Sequence, residues 1–218
     1  MILNIIFHIS TINKIISFKS YSDRVDFKTY IIVKFDSAID KKNSRLGENN
    51  CIHIALSDKV VTADIASSYI SFEQALENMK QDSLGKSFEQ VQANAEALWE
   101  EYLSRIEIET DDEEQLRTFY SCMYRPFLFP HKAYELDQSG NPIHYTPCDG
   151  ETRPGVRYTD NGFWDTYRTV YPLYTLIARD EFAEMLEGFV NDYLECGWLP
   201  RWPSLGEVGC MPSTLIDS

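Results

Sequence analysis

The sequence predicts a mostly α fold with an N-terminal β portion, on three observations. Residues 1–65 are rich in Ile, Val, Phe, Tyr and Thr, which favour strands. From about residue 70, apolar residues recur at spacings of three and four behind serines that suit helix capping. Long aromatic loops separate the later helices, an arrangement typical of an α/α toroid, of which this chain holds only part.

The N-terminal part contains two clear strand patterns, at residues 29–35 and 51–56. Residues 40–50 between them are polar and predict a turn region. A few strands cannot cover both faces of a sheet, so this part is expected to be the end of a larger β domain.

Three capping boxes mark predicted helix starts, at residues 71–74, 87–90 and 110–113. The second box precedes an amphipathic stripe of Phe88, Val91, Ala95, Leu98, Trp99 and Tyr102. The third precedes a stripe of Leu116, Phe119, Tyr120, Met123 and Phe127, which Pro126 and Pro130 should end.

Residues 131–162 predict a long loop with short strands, and the Asp137–Pro142 stretch in it is a strong turn signal. A helix is expected from about Asp160 through Tyr171, with Pro172 kinking it or starting another. A further helix is marked by apolar residues between 182 and 193, and Gly197 should close it.

Charge and cysteine usage exclude several classes of function. The net charge of −14 and pI of about 4.7 disfavour nucleic acid as a partner. No run approaches the ~20 apolar residues of a membrane helix, so membrane insertion is not expected, and residues 1–10 lack the features of a signal peptide. The five cysteines are widely spaced without a C-x-x-C pair, so neither a zinc site nor a disulfide framework is expected and at least one thiol should be free.

Two tryptophan-rich clusters with adjacent charges are the most informative feature of the chain. A pyranose stacks its apolar face on an indole ring while its hydroxyls bond a neighbouring charge, so such clusters suit a carbohydrate. The high aromatic content, 13% of residues, agrees with that interpretation, but it is equally expected of a large core. The clusters are Phe163-Trp164-Asp165-Thr166-Tyr167-Arg168 and Gly197-Trp198-Leu199-Pro200-Arg201-Trp202-Pro203.

Each candidate residue also has a purely structural interpretation. Asp165 suits the first turn of a helix, where the dipole favours a carboxylate, and Arg168 either orients Asp165, the role we favour, or pairs with it on the surface. Trp198 and Trp202 lie in a proline-stiffened loop, where both could be core residues that fill a helix junction. Of the two, Trp202 is the expected ligand contact and Trp198 the expected core residue. Glu207 lies between glycines, where it contacts a ligand or caps the next helix.

The clusters resemble the carbohydrate-binding rim of glycoside hydrolase family 92, whose members are mostly exo-acting α-mannosidases. The chain departs from many members around Glu207, where Gly206 and Val208-Gly209 replace Asn and Thr-Asn. The resemblance covers roughly residues 60–218 and extends to three further stretches: Arg117-Thr118-Phe119-Tyr120-Ser121-Cys122-Met123-Tyr124-Arg125, Pro172-Leu173-Tyr174-Thr175-Leu176 and Gly206-Glu207-Val208-Gly209-Cys210-Met211-Pro212.

The resemblance implies an architecture in three parts. Residues 1–66 would be the remnant of a β-sandwich, residues 67–108 a helical linker, and residues 109–218 the first part of an (α/α)6 barrel catalytic domain. The chain would then be a fragment of a longer protein. Members of the family are typically exported.

The resemblance also implies an inverting, calcium-dependent exo-α-mannosidase, acting on α-1,2-linked mannose of N-glycans or yeast mannan. The partner would be a mannose-containing oligosaccharide, held in a half-site for the terminal sugar formed by Trp164, Asp165, Arg168, Trp202 and Glu207. No catalytic residue is expected in this chain, because the family's general acid and base lie in motifs beyond Ser218. The calcium ligands are expected mostly outside the chain, which alone should be inactive.

Two other functions fit the same residues. A non-catalytic carbohydrate-binding protein would use the same aromatic rim. A structural helical-repeat module would use the tryptophans only for packing, but the chain shows no constant helix-pair period.

Overall fold

A computed structural model of the chain describes residues 4–8, 15–22, 25–47, 52–200 and 202–205. The chain divides into two compact units. The first comprises Met1–Gly85 and Glu135–Asn141, and the second comprises Lys86–Tyr134 and Pro142–Ser218. The three-part division with boundaries after residues 66 and 108 stays a prediction.

The first unit is built on antiparallel strands. Strands β1, β2, β3 and β6 form one sheet in that order, and β4 pairs with β5 in a separate ladder. The strands are β1 (Asn4–His8), β2 (Ile15–Ser22), β3 (Val25–Phe35), β4 (Ile39–Leu46), β5 (Ile52–Leu56) and β6 (Ala63–Ser68).

The predicted strands at residues 29–35 and 51–56 are confirmed as parts of β3 and as β5. The turn predicted for residues 40–50 is wrong over most of its length, because β4 runs through it. The register shifts between Asp40 and Arg45, and Ser44 Oγ accepts a 3.0 Å hydrogen bond from the Ala55 amide. A partly exposed two-stranded ladder tolerates the polar residues that predicted a turn.

Helix α1 (Phe72–Asp82) packs on β3 and β6 and buries Ala75 and Met79 against Ile32. Its predicted capping box is only half present. Ser71 Oγ accepts from the Gln74 amide at 3.1 Å, but the Gln74 side chain donates to the Leu136 carbonyl and to Asn78 instead of reaching back.

The second unit is mainly helical. The complete capping box predicted at residues 87–90 is confirmed, because Ser87 Oγ accepts from the Gln90 amide and the Gln90 side chain accepts from the Ser87 amide. The helices are α2 (Phe88–Leu103), α3 (Glu113–Tyr124), α4 (Phe163–Thr166), α5 (Val170–Ile177) and α6 (Arg179–Cys196), with a 3-10 helix at Arg125–Leu128 after α3.

The third predicted box, at residues 110–113, is wrong. Asp112 is the N-cap of α3, and its carboxylate accepts hydrogen bonds from the amides of Glu114 and Gln115 at 2.9 and 3.1 Å. Thr110 Oγ1 instead accepts from the Asp112 amide. Asp is as good a cap as Thr, so the pattern alone did not decide between the two positions.

Short strands occupy much of the predicted loop at residues 131–162. Within the second unit, β7 pairs antiparallel with β11, and β9 with β10. The turn predicted at residues 137–142 is confirmed, with the Asp137 amide donating to the Asn141 carbonyl at 2.9 Å. The strands are β7 (His131–Lys132), β8 (Tyr134–Leu136), β9 (Pro142–Tyr145), β10 (Thr152–Pro154) and β11 (Tyr158–Thr159).

The single helix predicted from Asp160 through Tyr171 is wrong, because α4 and α5 are separate helices broken at residues 167–169. Pro172 is the third residue of α5. Its missing N–H costs nothing there, since the first-turn amides of a helix have no partner within the helix.

The core of the second unit centres on Tyr174, which is 0% exposed. The Tyr174 hydroxyl contacts the carbonyl oxygens of Pro126 and Phe129, and so joins α5 to the segment that follows α3. The other buried residues of this core are Val156, Tyr158, Phe163, Ala178, Met185 and Phe189.

One disulfide joins Cys148 to Cys196, with their Cα atoms 5.6 Å apart. The expectation that the spacing disfavours disulfides is wrong for this pair, because the fold brings together two residues 48 positions apart. Cys122 is free and exposed, as the odd number of cysteines had suggested for at least one thiol. Cys51 and Cys210 lie outside the described residues.

A hydrogen-bonded cluster around Glu184 fastens α6 to β7 and β11. The Tyr134 hydroxyl donates to Glu184 Oε1 at 2.7 Å, the Tyr158 hydroxyl donates to the same oxygen, and Lys132 Nζ lies 3.6 Å away. Burial raises the pKa of the Glu184 carboxyl, but these hydrogen bonds and the Lys132 charge outweigh that effect and lower it below its ordinary value of 4.5.

Large apolar side chains remain exposed on several helices, among them Phe88, Leu98, Leu176, Val190 and Leu194. None of the helices in the described ranges has the length and apolar character needed to cross a membrane.

We expect Tyr174→Ala to lower the free energy of unfolding by about 3–5 kcal/mol, the usual cost of deleting a buried aromatic ring. The control is Leu176→Ala on the same helix, where the side chain is 72% exposed and the cost should stay within about 0.5 kcal/mol. Urea denaturation of both variants provides the comparison. Equal losses in the two variants would contradict the central place of Tyr174 in the core.

The Glu184 cluster predicts a pH-dependent contribution to stability. Because the folded pKa of Glu184 is lowered, its stabilisation is present above the unfolded pKa and is lost as the pH falls through the folded value. The difference in unfolding free energy between wild type and Glu184→Gln should therefore be largest near pH 7 and shrink below pH 4.5. Glu187→Gln, at an exposed position of the same helix, is the control, and a pH-independent difference at Glu184 would refute the assignment.

Candidate functional site

The first tryptophan cluster forms a tight turn at α4. Gly162 is the N-cap, and its carbonyl accepts from the amides of Asp165 and Thr166, each at 3.0 Å. Asp165 lies in the first turn, as predicted, and is exposed. Its carboxylate forms no hydrogen bond or ion pair with any other residue in the described ranges. Within the described ranges the carboxylate is thus available to a ligand.

Arg168 stacks on aromatic rings. Its guanidinium carbon lies 5.0 Å from the centre of the Trp164 ring and 5.2 Å from that of Tyr167, whose hydroxyl accepts from Arg168 Nε at 3.2 Å. The expectation that Arg168 orients Asp165 is therefore not met in this structure. Cation–π contacts hold the guanidinium beside Trp164, which is 42% exposed.

The second cluster reaches the first at Gly162. A Cβ atom at position 162 would lie 2.7 Å from Trp202 Cη2 and 2.8 Å from Asp165 Oδ2, so the indole ring and the carboxylate both crowd the space that glycine leaves empty. Trp202 and Asp165 are thus adjacent although 37 positions separate them in the sequence. The structure brings these two predicted residues together, with Trp164 and Arg168 on the same turn as Asp165.

Three hydrogen bonds hold the segment that carries Trp202. The Asp160 amide donates to the Pro203 carbonyl at 2.7 Å, and Thr159 Oγ1 contacts the same oxygen at 3.4 Å. Arg157 Nη2 donates to the Ser204 carbonyl at 2.9 Å. Pro203 itself is fully buried, so the backbone that follows Trp202 is held in place.

Trp198 and Trp202 differ from the expected division of roles. Trp198 was expected in the core, but it is 58% exposed, and this expectation is wrong. Trp202 is partly buried, because one edge of its ring packs on Gly162. Trp198 is exposed because it follows the turn that ends α6, where Gly197 adopts a positive φ of 82°. Glu207 and Arg201 lie outside the described residues.

Sequence reasoning missed two residues of this site. Gly162 receives both Trp202 and Asp165, and the only signal for it was its place immediately before the aromatic run. Tyr167 contacts the guanidinium of Arg168 together with Trp164; it belongs to the first cluster but was not predicted among the sugar-binding residues.

The described residues do not fit a calcium ion. Across the described ranges, no three His, Cys, Asp or Glu side chains lie close enough together to hold a metal. A family calcium site would thus need ligands from elsewhere.

A separate aromatic cavity of about 230 Å3 lies between α2, α5 and α6. Its lining includes Trp99, Tyr102, Phe127, Tyr158 and Met185, and none of the five predicted sugar-binding residues. Its walls are largely apolar, although His131, Lys132 and Glu181 also line it. We place the candidate site at the Gly162 turn because Trp202 and Asp165 meet there.

Comparisons with known proteins point to one family. The glycosyl hydrolase family 92 catalytic domain matches residues 74–218. The inverting mannosidase BT2199 of family GH92, from Bacteroides thetaiotaomicron VPI-5482, is 34% identical to the chain with a TM-score of 0.83, over 94% of this chain and 30% of that one.

Two further solved structures share the fold at lower identity. The GH92 α-mannosidase BT3965 from Bacteroides thetaiotaomicron, in complex with mannoimidazole, is 23% identical with a TM-score of 0.77, over 93% of this chain and 30% of that one. The GH92 glycosyl hydrolase ccman5 is 18% identical with a TM-score of 0.66, over 92% and 30%. The chain therefore spans less than a third of the length of these structures. A search of curated proteins finds no match.

We expect Gly162→Ala to displace the Trp202 ring and the Asp165 carboxylate, because its Cβ would lie 2.7 and 2.8 Å from them. The backbone itself permits alanine, since φ at Gly162 is −94°. Tryptophan fluorescence should shift toward longer wavelength as the ring becomes more exposed. Glu187→Ala, at an exposed position of α6, is the control, and an unchanged spectrum in Gly162→Ala would contradict the packing described.

Proposed function

Because the chain belongs to glycosyl hydrolase family 92, we propose that it is part of an inverting exo-α-mannosidase and supplies the half-site for the terminal mannose. The observation that carries this proposal is the meeting of Trp202 and Asp165 at Gly162. A ring and an exposed carboxylate that bonds none of the described residues lie side by side, and they match the two surfaces of a pyranose, its apolar face and its hydroxyl groups.

Each residue has a distinct role in the proposed half-site. Asp165 accepts hydrogen bonds from two sugar hydroxyls, which a carboxylate does more strongly than a neutral acceptor. Trp202 stacks on the apolar face of the mannose ring or packs against the edge of that ring. Arg168, held over Trp164, donates to a hydroxyl oxygen of the sugar. Glu207 is the remaining residue of the proposed half-site.

Asp165 is proposed as a binding group and not as the general acid or base. An inverting glycosidase places those two carboxyl groups about 6.5–9.5 Å apart, with the attacking water between one of them and the sugar. The proposal assigns neither of these roles to a described residue of this chain. Calcium and the (α/α)6 barrel belong to the same proposal, with the metal held by residues outside the described ranges.

The proposed substrate is an oligosaccharide that ends in α-linked mannose, with the α-1,2 linkage of N-glycans or yeast mannan preferred. Two relatives support the sugar: one is described as an inverting mannosidase, and another is an α-mannosidase solved with mannoimidazole. The acidic composition, with a net charge of −14, suits a neutral ligand better than a polyanion.

We expect Asp165→Ala, made in a polypeptide with the complete catalytic domain, to lower kcat/KM on α-1,2-mannobiose by about 10- to 100-fold. That range corresponds to the loss of a hydrogen bond to a charged group. Asp180→Ala is the matched control, because Asp180 is also exposed in the first turn of a helix, and its kcat/KM should be unchanged.

Circular dichroism should show that both variants keep the fold. Wild-type activity in Asp165→Ala would remove the carboxylate from the proposed site. Mannose binding without turnover by the wild-type protein would favour a carbohydrate-binding protein over an enzyme.

A further inference from the structure

A buried guanidinium lies beneath the loop that carries Trp202. Arg157 is 3% exposed, although it is a charged residue. Its Nε donates to Asp192 Oδ1 at 2.8 Å, and its Nη2 donates to the Ser204 carbonyl at 2.9 Å. One side chain thus joins α6, through Asp192, to the backbone two residues after Trp202.

The backbone of Arg157 is itself fixed on α6 by close packing. A Cβ at Gly188 of α6 would lie 3.3 Å from the Tyr158 amide nitrogen and 3.4 Å from the Arg157 Cα, so only a very small residue admits this approach. Asn191 Nδ2 also donates to the Val156 carbonyl at 2.9 Å. The backbone that carries the Arg157 guanidinium is therefore held in place on α6, which limits how far the guanidinium can shift.

Stability alone gives a poor account of this arrangement. Asp192 is as buried as Arg157, and burial raises the pKa of the Asp192 carboxyl against the opposing effect of the arginine. Buried ion pairs contribute little net stability, because desolvation offsets most of the attraction between the charges. The specific effect of the Arg157–Asp192 pair is geometric, because it orients the guanidinium so that Nη2 donates to the Ser204 carbonyl.

Only arginine can make both contacts at once. The two hydrogen bonds use two different nitrogens of a rigid, planar group, whereas the ammonium of lysine is a single point on a flexible stem. Lysine at this position could keep the charge pair with Asp192, but it would release the Ser204 carbonyl.

We infer that Arg157 is a positioning residue of the sugar half-site, which sets the Trp202 ring against Gly162 by holding the Ser204 carbonyl. The inference rests on the proposed function for the identity of the ligand. The placing of the ring does not depend on the ligand, because it follows from the contacts of Arg157 with Asp192 and Ser204, which act beside the Asp160 hydrogen bond to the Pro203 carbonyl.

The test labels the protein, with its complete catalytic domain, with 5-fluorotryptophan and follows the 19F resonance of Trp202, assigned with Trp202→Phe. Arg157→Lys should shift that resonance and make it more sensitive to exchange from H2O into D2O, as the ring loosens from Gly162. It should also raise KM for α-1,2-mannobiose about 3- to 10-fold with a smaller change in kcat, because stacking binds ground and transition states alike.

A double variant and a control separate positioning from stability. Arg157→Met with Asp192→Asn removes both charges, so no unpaired buried charge threatens the fold, and it should shift the Trp202 resonance as Arg157→Lys does. Arg153→Met is the control, because Arg153 pairs with Asp149 and Glu195 and makes no contact with residues 202–204. Its Trp202 resonance should match that of the wild type.

An unchanged Trp202 resonance in both Arg157 variants overturns the inference, as does an equal shift in Arg153→Met. If the wild-type protein neither binds nor cleaves mannosides, the proposed function fails, while the 19F result still decides whether Arg157 places the ring.

Discussion

The candidate site depends on the hydrogen bonds that join residues 203 and 204 to residues 157–160. The Asp160 amide donates a hydrogen bond to the Pro203 carbonyl, and the Arg157 guanidinium donates one to the Ser204 carbonyl, both in the segment that follows α6. Those bonds place the Trp202 ring on Gly162, next to a carboxylate from a different part of the chain. A loop held by its backbone keeps its geometry whether or not a ligand is present, so binding need not order it.

Much of the fold followed from local patterns. The strand at residues 29–35 and the complete box at Ser87 depend on neighbouring residues, and both were predicted correctly. Predictions failed where a second residue or a distant strand could satisfy the same backbone groups. Asp112 displaced Thr110 as a cap, and the polar residues of β4 entered a strand because their partner β5 supplies the backbone hydrogen bonds. The choice in each case lies in tertiary contacts that a single sequence does not show.

The sequence pointed to the residues of the candidate site but not to their arrangement. Aromatic rings beside charges marked Trp164, Asp165 and Trp202 from the sequence. Neither the stacking of Arg168 nor the exposure of Trp198 could be inferred, because each depends on where a loop turns after a helix. The role of Gly162 is visible only when two distant side chains compete for the space beside it.

The disulfide between Cys148 and Cys196 has a consequence for how the protein is handled. It closes a loop of 48 residues, and in the chain-entropy model a loop of that size restricts the unfolded state by about 4 kcal/mol. Cys196 is the last residue of α6, so the tether also acts where the chain turns toward Trp198 and Trp202. Preparations from reducing and oxidising hosts will therefore differ in conformational stability although their sequences are identical, and the thiol state must be known before two measurements on this protein are compared.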